Sequence, residues 1–226
     1  MTLVEAVLSV LLAWPPFGAE PDPETSGERQ IRLTQAAIAI TDAAVTRSST
    51  WSPPKVAAAM LALGHRESRF AQYVAEGQCM RGPVGAQCDP HRGKVRARTY
   101  WQQHYRACPA AWREPRGSMA ETRAAAQCAA SLLQGGIHRC RTRASSPEAA
   151  AFAAYAGIDC GRSFAPRRAA LMLRIESRLR QLLSSPAVQQ PVSPAHLDLL
   201  PQQPEQPSPL GPRRLRVLAL YPDARR

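Results

Sequence analysis

The 226-residue chain has few β-branched residues and almost no runs that alternate apolar with polar side chains, so it holds no sheet of any size. It has no CxxC, which argues against a zinc site. Zinc-finger, helix-turn-helix and RNA-binding signatures are also missing, although the formal charge is +12. The arginines are scattered, not clustered. The charge therefore fits any polyanionic surroundings, including an anionic cell wall, and equally fits a high-GC genome that encodes Arg in place of Lys. No segment is long enough to cross a bilayer, and no internal repeat is present. The apolar stretch from Leu3 to Trp14 lacks the Lys or Arg of a leader and contains Glu5, yet Phe17-Gly18-Ala19 resembles a cleavage site. That stretch is either a weak leader or a helix that packs on the domain.

Alanine and arginine are abundant, a composition that favours helix. Leu33, Ala36, Ala37, Ile40 and Ala44 give 28–46 an apolar stripe at helical spacing. Ser52 caps the next helix, Pro53 takes its first position, and Val56, Ala59, Met60 and Leu63 form its buried face. Residues 95–106 form a short helix. Ser118 and Glu121 make a capping-box pattern, Ala126, Ala129, Ala130 and Leu133 share one face, and Gly135-Gly136 ends that helix. Ser146-Pro147-Glu148 opens another helix that runs to Gly157. A last one, 166–183, buries Met172, Ile175, Leu179 and Leu182.

The domain organisation follows: an N-terminal apolar segment and linker over 1–27, a helical domain over 28–183, and a disordered Pro-rich tail over 184–226. The tail holds nine of the 21 prolines and one apolar island, Leu215 to Tyr221. All six cysteines lie between Cys79 and Cys160, which points to disulfides and an oxidising compartment. Cys79–Cys88 and Cys140–Cys160 are the favoured pairs, because each brackets a single loop or helix.

The segment Gly64-His65-Arg66-Glu67-Ser68-Arg69-Phe70 carries the chemistry. Glu67 follows Val56 by eleven residues, close to three full turns, so its carboxylate continues the face of Val56, Met60 and Leu63. A carboxyl at the inner end of an apolar stripe is desolvated, which raises its pKa and suits a general acid. The competing reading is a surface Glu paired to Arg66 or Arg69. His65, His91, His104 and His138 fall at no metal spacing with one another, and no metal or cofactor is expected.

The E-S-R-F string at the end of an apolar helix resembles the signature of soluble lytic transglycosylases and goose-type lysozymes. Two further blocks follow in that family's order. Ala97-Arg98-Thr99-Tyr100-Trp101-Gln102 resembles A-x-G-L-M-Q, with Thr99 in place of Gly. Ala151-Phe152-Ala153-Ala154-Tyr155-Ala156-Gly157 resembles A-x-x-Y-N-x-G, with Ala156 in place of Asn. The blocks are spread over residues 55–160, about half the chain. The resemblance implies an all-α lysozyme-like domain that cleaves the MurNAc–GlcNAc bond of peptidoglycan with Glu67 as its single catalytic acid. It further implies that Ser68 helps hold Glu67, that Gln102 binds substrate, that Tyr155 hydrogen-bonds Glu67 or the substrate, and that Trp101 and Tyr100 stack on sugar rings unless they are core, as an aromatic in a small helical domain usually is. Its partner is the glycan strand and not nucleic acid, and it acts as an extracytoplasmic or phage-particle monomer. Two rivals stand beside it. A true hydrolase would recruit Asp89 or Glu76 to position water, and a degenerate domain would only bind glycan or build a phage tail or secretion apparatus.

Overall fold

The computed structural model describes residues 1–16, 24–48, 50–76, 88–89, 94–95, 97–155, 160 and 165–185. The long helices are α1 (Leu3–Ala13), α2 (Ser26–Thr46), α3 (Pro53–Glu67), α6 (Met119–Cys140), α7 (Pro147–Tyr155) and α8 (Ala165–Ser184). Two short ones, α4 (Gln72–Ala75) and α5 (Pro109–Arg113), punctuate the connections. The described strands are a two-residue antiparallel pair, β1 (Cys88–Asp89) with β2 (Lys94–Val95). The fold is all-α.

The organising element is α3. Every residue from Val56 to Gly64 is buried, so this helix is apolar on all sides and not merely striped. Met60, Leu61 and Leu63 each gain about 1.5–3 kcal/mol from leaving water. Around α3 pack α2, α6 and α8, and α7 lies against both α6 and α8. α1 belongs to the same core. Thr2 and Glu5 cap it reciprocally, and Ala6, Val7, Val10 and Leu11 are buried against α2 and α8. Among the described residues no helix is long and apolar enough to cross a membrane.

The predicted helix starts hold with small shifts. α2 begins at Ser26, capped by a Thr25–Glu28 box. Ser52 occupies the cap position of α3, but its side chain makes no capping hydrogen bond. Ser118 accepts from the Glu121 amide, whereas the Glu121 carboxylate accepts from Gly117 N–H at 2.7 Å and so completes a different pair.

Two expectations fail. Residues 97–106 are not helical. Arg98 and Gln103 exchange backbone hydrogen bonds at 3.1 and 2.9 Å, and Thr99 and Gln102 take φ of 67° and 50°. Those two left-handed residues close a tight turn, which a helix cannot contain. Gly135-Gly136 does not end α6, which runs on to Cys140. Gly136 is a packing residue. A Cβ there would lie 2.7 Å from the Ala151 carbonyl oxygen and 2.9 Å from Ala154 Cβ, so glycine lets α6 and α7 approach closely.

Among the described residues two disulfides fasten the connections. The expected Cys140–Cys160 bridge joins the end of α6 to the segment after α7. Cys108–Cys128, a pair not singled out beforehand, ties the chain ahead of α5 to the middle of α6. Cys79, Gly157 and all of the tail beyond Ser185 lie outside the described residues, as do the side chains of Cys88 and Asp89.

Candidate active site at the C-terminal end of α3

Glu67 is the last residue of α3, and the chain reverses directly after it. Ser68, Arg69 and Phe70 form the reversal, with Arg69 and Phe70 at φ of 53° and 54°. Ser68 is fully buried and secures this turn. Its hydroxyl donates to the Gly64 carbonyl at 3.1 Å and accepts from Phe70 N–H at 3.2 Å. Phe70 then folds back onto α3, where a Cβ at Gly64 would lie 2.4 Å from its ring. Arg32 of α2 braces the turn from outside. It donates to the Phe70 carbonyl at 2.7 Å and to the Tyr100 hydroxyl at 3.3 Å, while pairing with Glu24. Ser68 thus has no hydroxyl facing a sugar, and its role is to fix the turn that carries Glu67.

Glu67 itself is half-buried, with a side-chain exposure of 21%. Neither Arg66 nor Arg69 is its partner. Its Oε1 lies 2.7 Å from a guanidinium nitrogen of Arg168, in the first turns of α8. The pairing with arginine that the competing reading expected is present, but it is a tertiary contact between two helices.

Tyr155 lies within electrostatic reach of Glu67. Burial first, and then the negative charge of Glu67, push the Tyr155 phenol above its ordinary range, with Gln103 and Arg168 opposing. The phenol therefore stays protonated. It donates to the Trp101 carbonyl at 2.6 Å and so pins the end of α7 to the 98–103 turn.

That turn is anchored from below. Trp101 is fully buried and donates from its indole N–H to the Met60 carbonyl at 3.1 Å. Tyr100 is buried in an aromatic group with Phe70 and Trp101, at centroid distances of 4.9 and 5.9 Å. The expectation that Trp101 and Tyr100 stack on substrate rings is corrected here. Their faces are covered by protein, because the turn needs large apolar anchors to hold two left-handed residues. Phe152 is likewise core.

Gln102 is buried and donates its amide to the Thr99 carbonyl at 2.9 Å, which leaves its own carbonyl oxygen buried without a hydrogen-bond partner. Gln103 donates to the Ala125 carbonyl of α6 at 2.9 Å and lies next to Tyr155. Behind the turn, Arg98 stacks over Trp112 and approaches Glu121 at 3.5 Å. Burial raises the Glu121 carboxyl above its ordinary value despite the Gly117 N–H and Arg98.

The structure thus brings together Glu67, Tyr155 and the turn that includes Gln102. The sequence reading missed Arg168 and Gln103. Gln103 neighbours a chosen residue, whereas Arg168 gave no signal beyond its place near the start of a predicted helix. Of the candidate second acids, Glu76 is exposed at the end of α4, where Gln72 donates to it at 2.9 Å. Among the described residues no cluster of three His, Cys, Asp or Glu side chains is arranged to hold a metal ion. No protein-family model, curated protein or solved structure matches the chain.

Proposed function

We propose that this domain cleaves peptidoglycan glycan strands at the MurNAc–GlcNAc linkage, as a lytic transglycosylase with Glu67 as its only catalytic carboxyl. One observation carries the reading. Three sequence blocks that are far apart in the chain, each resembling a block of that family, meet at the C-terminal end of the buried helix α3. Thr99 adds support, since it takes the left-handed φ of 67° at the position where the resembled block has glycine.

In the proposed reaction Glu67 donates its proton to the glycosidic oxygen as the C1–O bond breaks. The substrate's N-acetyl group stabilises the cation at C1. The Glu67 carboxylate then takes the proton of the C6 hydroxyl as that oxygen closes the 1,6-anhydro ring, which returns the acid to its starting form. Arg168 places a guanidinium 2.7 Å from the Glu67 Oε1, beside the site of both proton transfers. Tyr155, held protonated, keeps the 98–103 turn in position. The two disulfides support a workplace outside the cytoplasm, cellular or phage-borne.

The 2.7 Å ion pair with Arg168 favours a second reading, in which Glu67 only joins α3 to α8 in a non-catalytic glycan-binding or structural domain. Mass spectrometry of muropeptides released by purified wild type and Glu67→Gln separates the two. The catalytic reading expects anhydromuramic products from the wild type and a loss of about 10²–10⁴-fold in the variant. Reducing ends would mean a hydrolase. An absence of products from the folded wild type would leave the structural reading.

A further inference from the structure

Between α1 and α8, away from Glu67, runs an open groove of about 280 Å³. Its walls are mostly apolar, with Val10 and Trp14 on one side and Ile175 and Leu182 on the other. Among the described residues that line it, Ser9 is the only uncharged polar aliphatic side chain. Arg174 and Arg178, one turn apart on α8, also line it, and both are exposed.

The acids of the two walls are committed elsewhere. Glu5 caps the start of α1 through the Thr2 N–H at 2.7 Å, and Glu176 is buried against Arg180 at 2.7 Å. Arg178 gives one N–H to Gln181 at 2.8 Å. The groove therefore offers an apolar trough with two positive charges and, among the described residues, no wall carboxylate answering them.

This chemistry selects a class of ligand. A sugar needs polar groups along the floor, and the floor has almost none. A cationic or zwitterionic head meets two arginines. The volume lies near the small end of ligand pockets, which start at about 300 Å³, so it takes one acyl chain and not two.

We infer that the groove binds a single-chain anionic amphiphile, with its chain along Val10, Trp14, Ile175 and Leu182 and its head between Arg174 and Arg178. Planar guanidinium groups one helical turn apart match the oxygens of a phosphate or carboxylate head.

Isothermal titration of the full chain with dodecyl phosphate below its micellar concentration tests the inference. One molecule is expected to bind saturably, while dodecyltrimethylammonium and inorganic phosphate do not. The double substitution Arg174→Gln with Arg178→Gln is expected to weaken binding by about tenfold or more, the scale of a lost charged hydrogen bond. Ala13→Phe, which fills the groove from an exposed position, is expected to abolish binding without lowering the melting temperature. Absence of saturable binding overturns the inference, as does equal binding of the cationic amphiphile or indifference to either substitution. So does a dimer that Ala13→Phe dissociates, since the groove would then hold a second copy.

Discussion

Gly135 and Gly136 are neighbours in α6, and the structure predicts opposite outcomes for the same substitution. A Cβ at Gly135 would meet nothing within 4 Å. Replacing this exposed glycine with alanine only removes backbone freedom from the unfolded chain, so Gly135→Ala is expected to stabilise by up to about 1 kcal/mol. Gly136→Ala brings the same gain, but its Cβ would lie 2.7 Å from the Ala151 oxygen and 3.0 Å from the Ala150 oxygen. Those are backbone atoms of α7 and cannot rotate away, so α6 and α7 must separate. Overpacking of this kind costs about 1–3 kcal/mol. The helix-propensity gain cancels between the two variants, so their difference isolates the clash. At about 2–4 °C per kcal/mol for a domain of this size, Gly136→Ala should melt roughly 2–12 °C below Gly135→Ala. Thermal unfolding followed by circular dichroism measures this directly. Equal melting temperatures would refute the close α6–α7 approach, and with it the placement of Tyr155 at the end of α7.

Three further outcomes follow from the same geometry. Replacing Cys140 and Cys160 by Ser opens a loop of 20 residues and should cost about 3 kcal/mol in urea denaturation, with a similar loss for Cys108 and Cys128; alkylation of any of these four in the native protein would contradict the bridges. Tyr155→Phe leaves the Trp101 carbonyl without its 2.6 Å donor and should cost about 1–3 kcal/mol; an unchanged melting temperature would show that this bond does not hold the turn. Burial, then the charges of Arg66 and Arg69, push His65 below its ordinary 6.5, so the unfolded chain binds that proton more tightly. Stability present above pH 6.5 should therefore fall as the pH drops below it, and His65→Gln should flatten that slope; an identical slope in the variant would assign the effect to other groups.

Much of the helical frame was legible in the sequence because its signals are local. Apolar spacing marked Leu33, Ala36 and Ile40 as the inner face of α2, and Ser52-Pro53 marked the start of α3. The failures are non-local. Gly135-Gly136 reads as a stop signal when only α6 is considered, but the partner that demands glycine is the backbone of α7, some fifteen residues on. Residues 97–106 read as helix because nothing in their composition reveals left-handed conformations at Thr99 and Gln102, neither of which is glycine. For Trp101 and Tyr100 the sequence left two readings, core or sugar platform, and burial decides for core. An aromatic that stacks on a ligand and an aromatic that anchors a turn have the same letters, and only the Met60 carbonyl beneath the Trp101 indole distinguishes them.

The position of Glu67 shows how packing and chemistry depend on each other in this chain. The carboxylate belongs to α3, its cation to α8, and the neighbouring phenol to α7, so no two of these groups share a helix. Their meeting requires α7 and α8 to lie close to the core helices. Small side chains allow it: Ala57, Ala58, Ala59 and Ala62 in α3, Gly136 in α6, and Ala149, Ala150, Ala151 and Ala153 in α7 are all buried. A larger residue at any of these points has no free volume to enter and must move a helix. Such movement would separate Glu67 from Arg168 or Tyr155 from Trp101 before it unfolded the domain. The high alanine content that marks the chain as helical is therefore also what permits a site built from the ends of three helices.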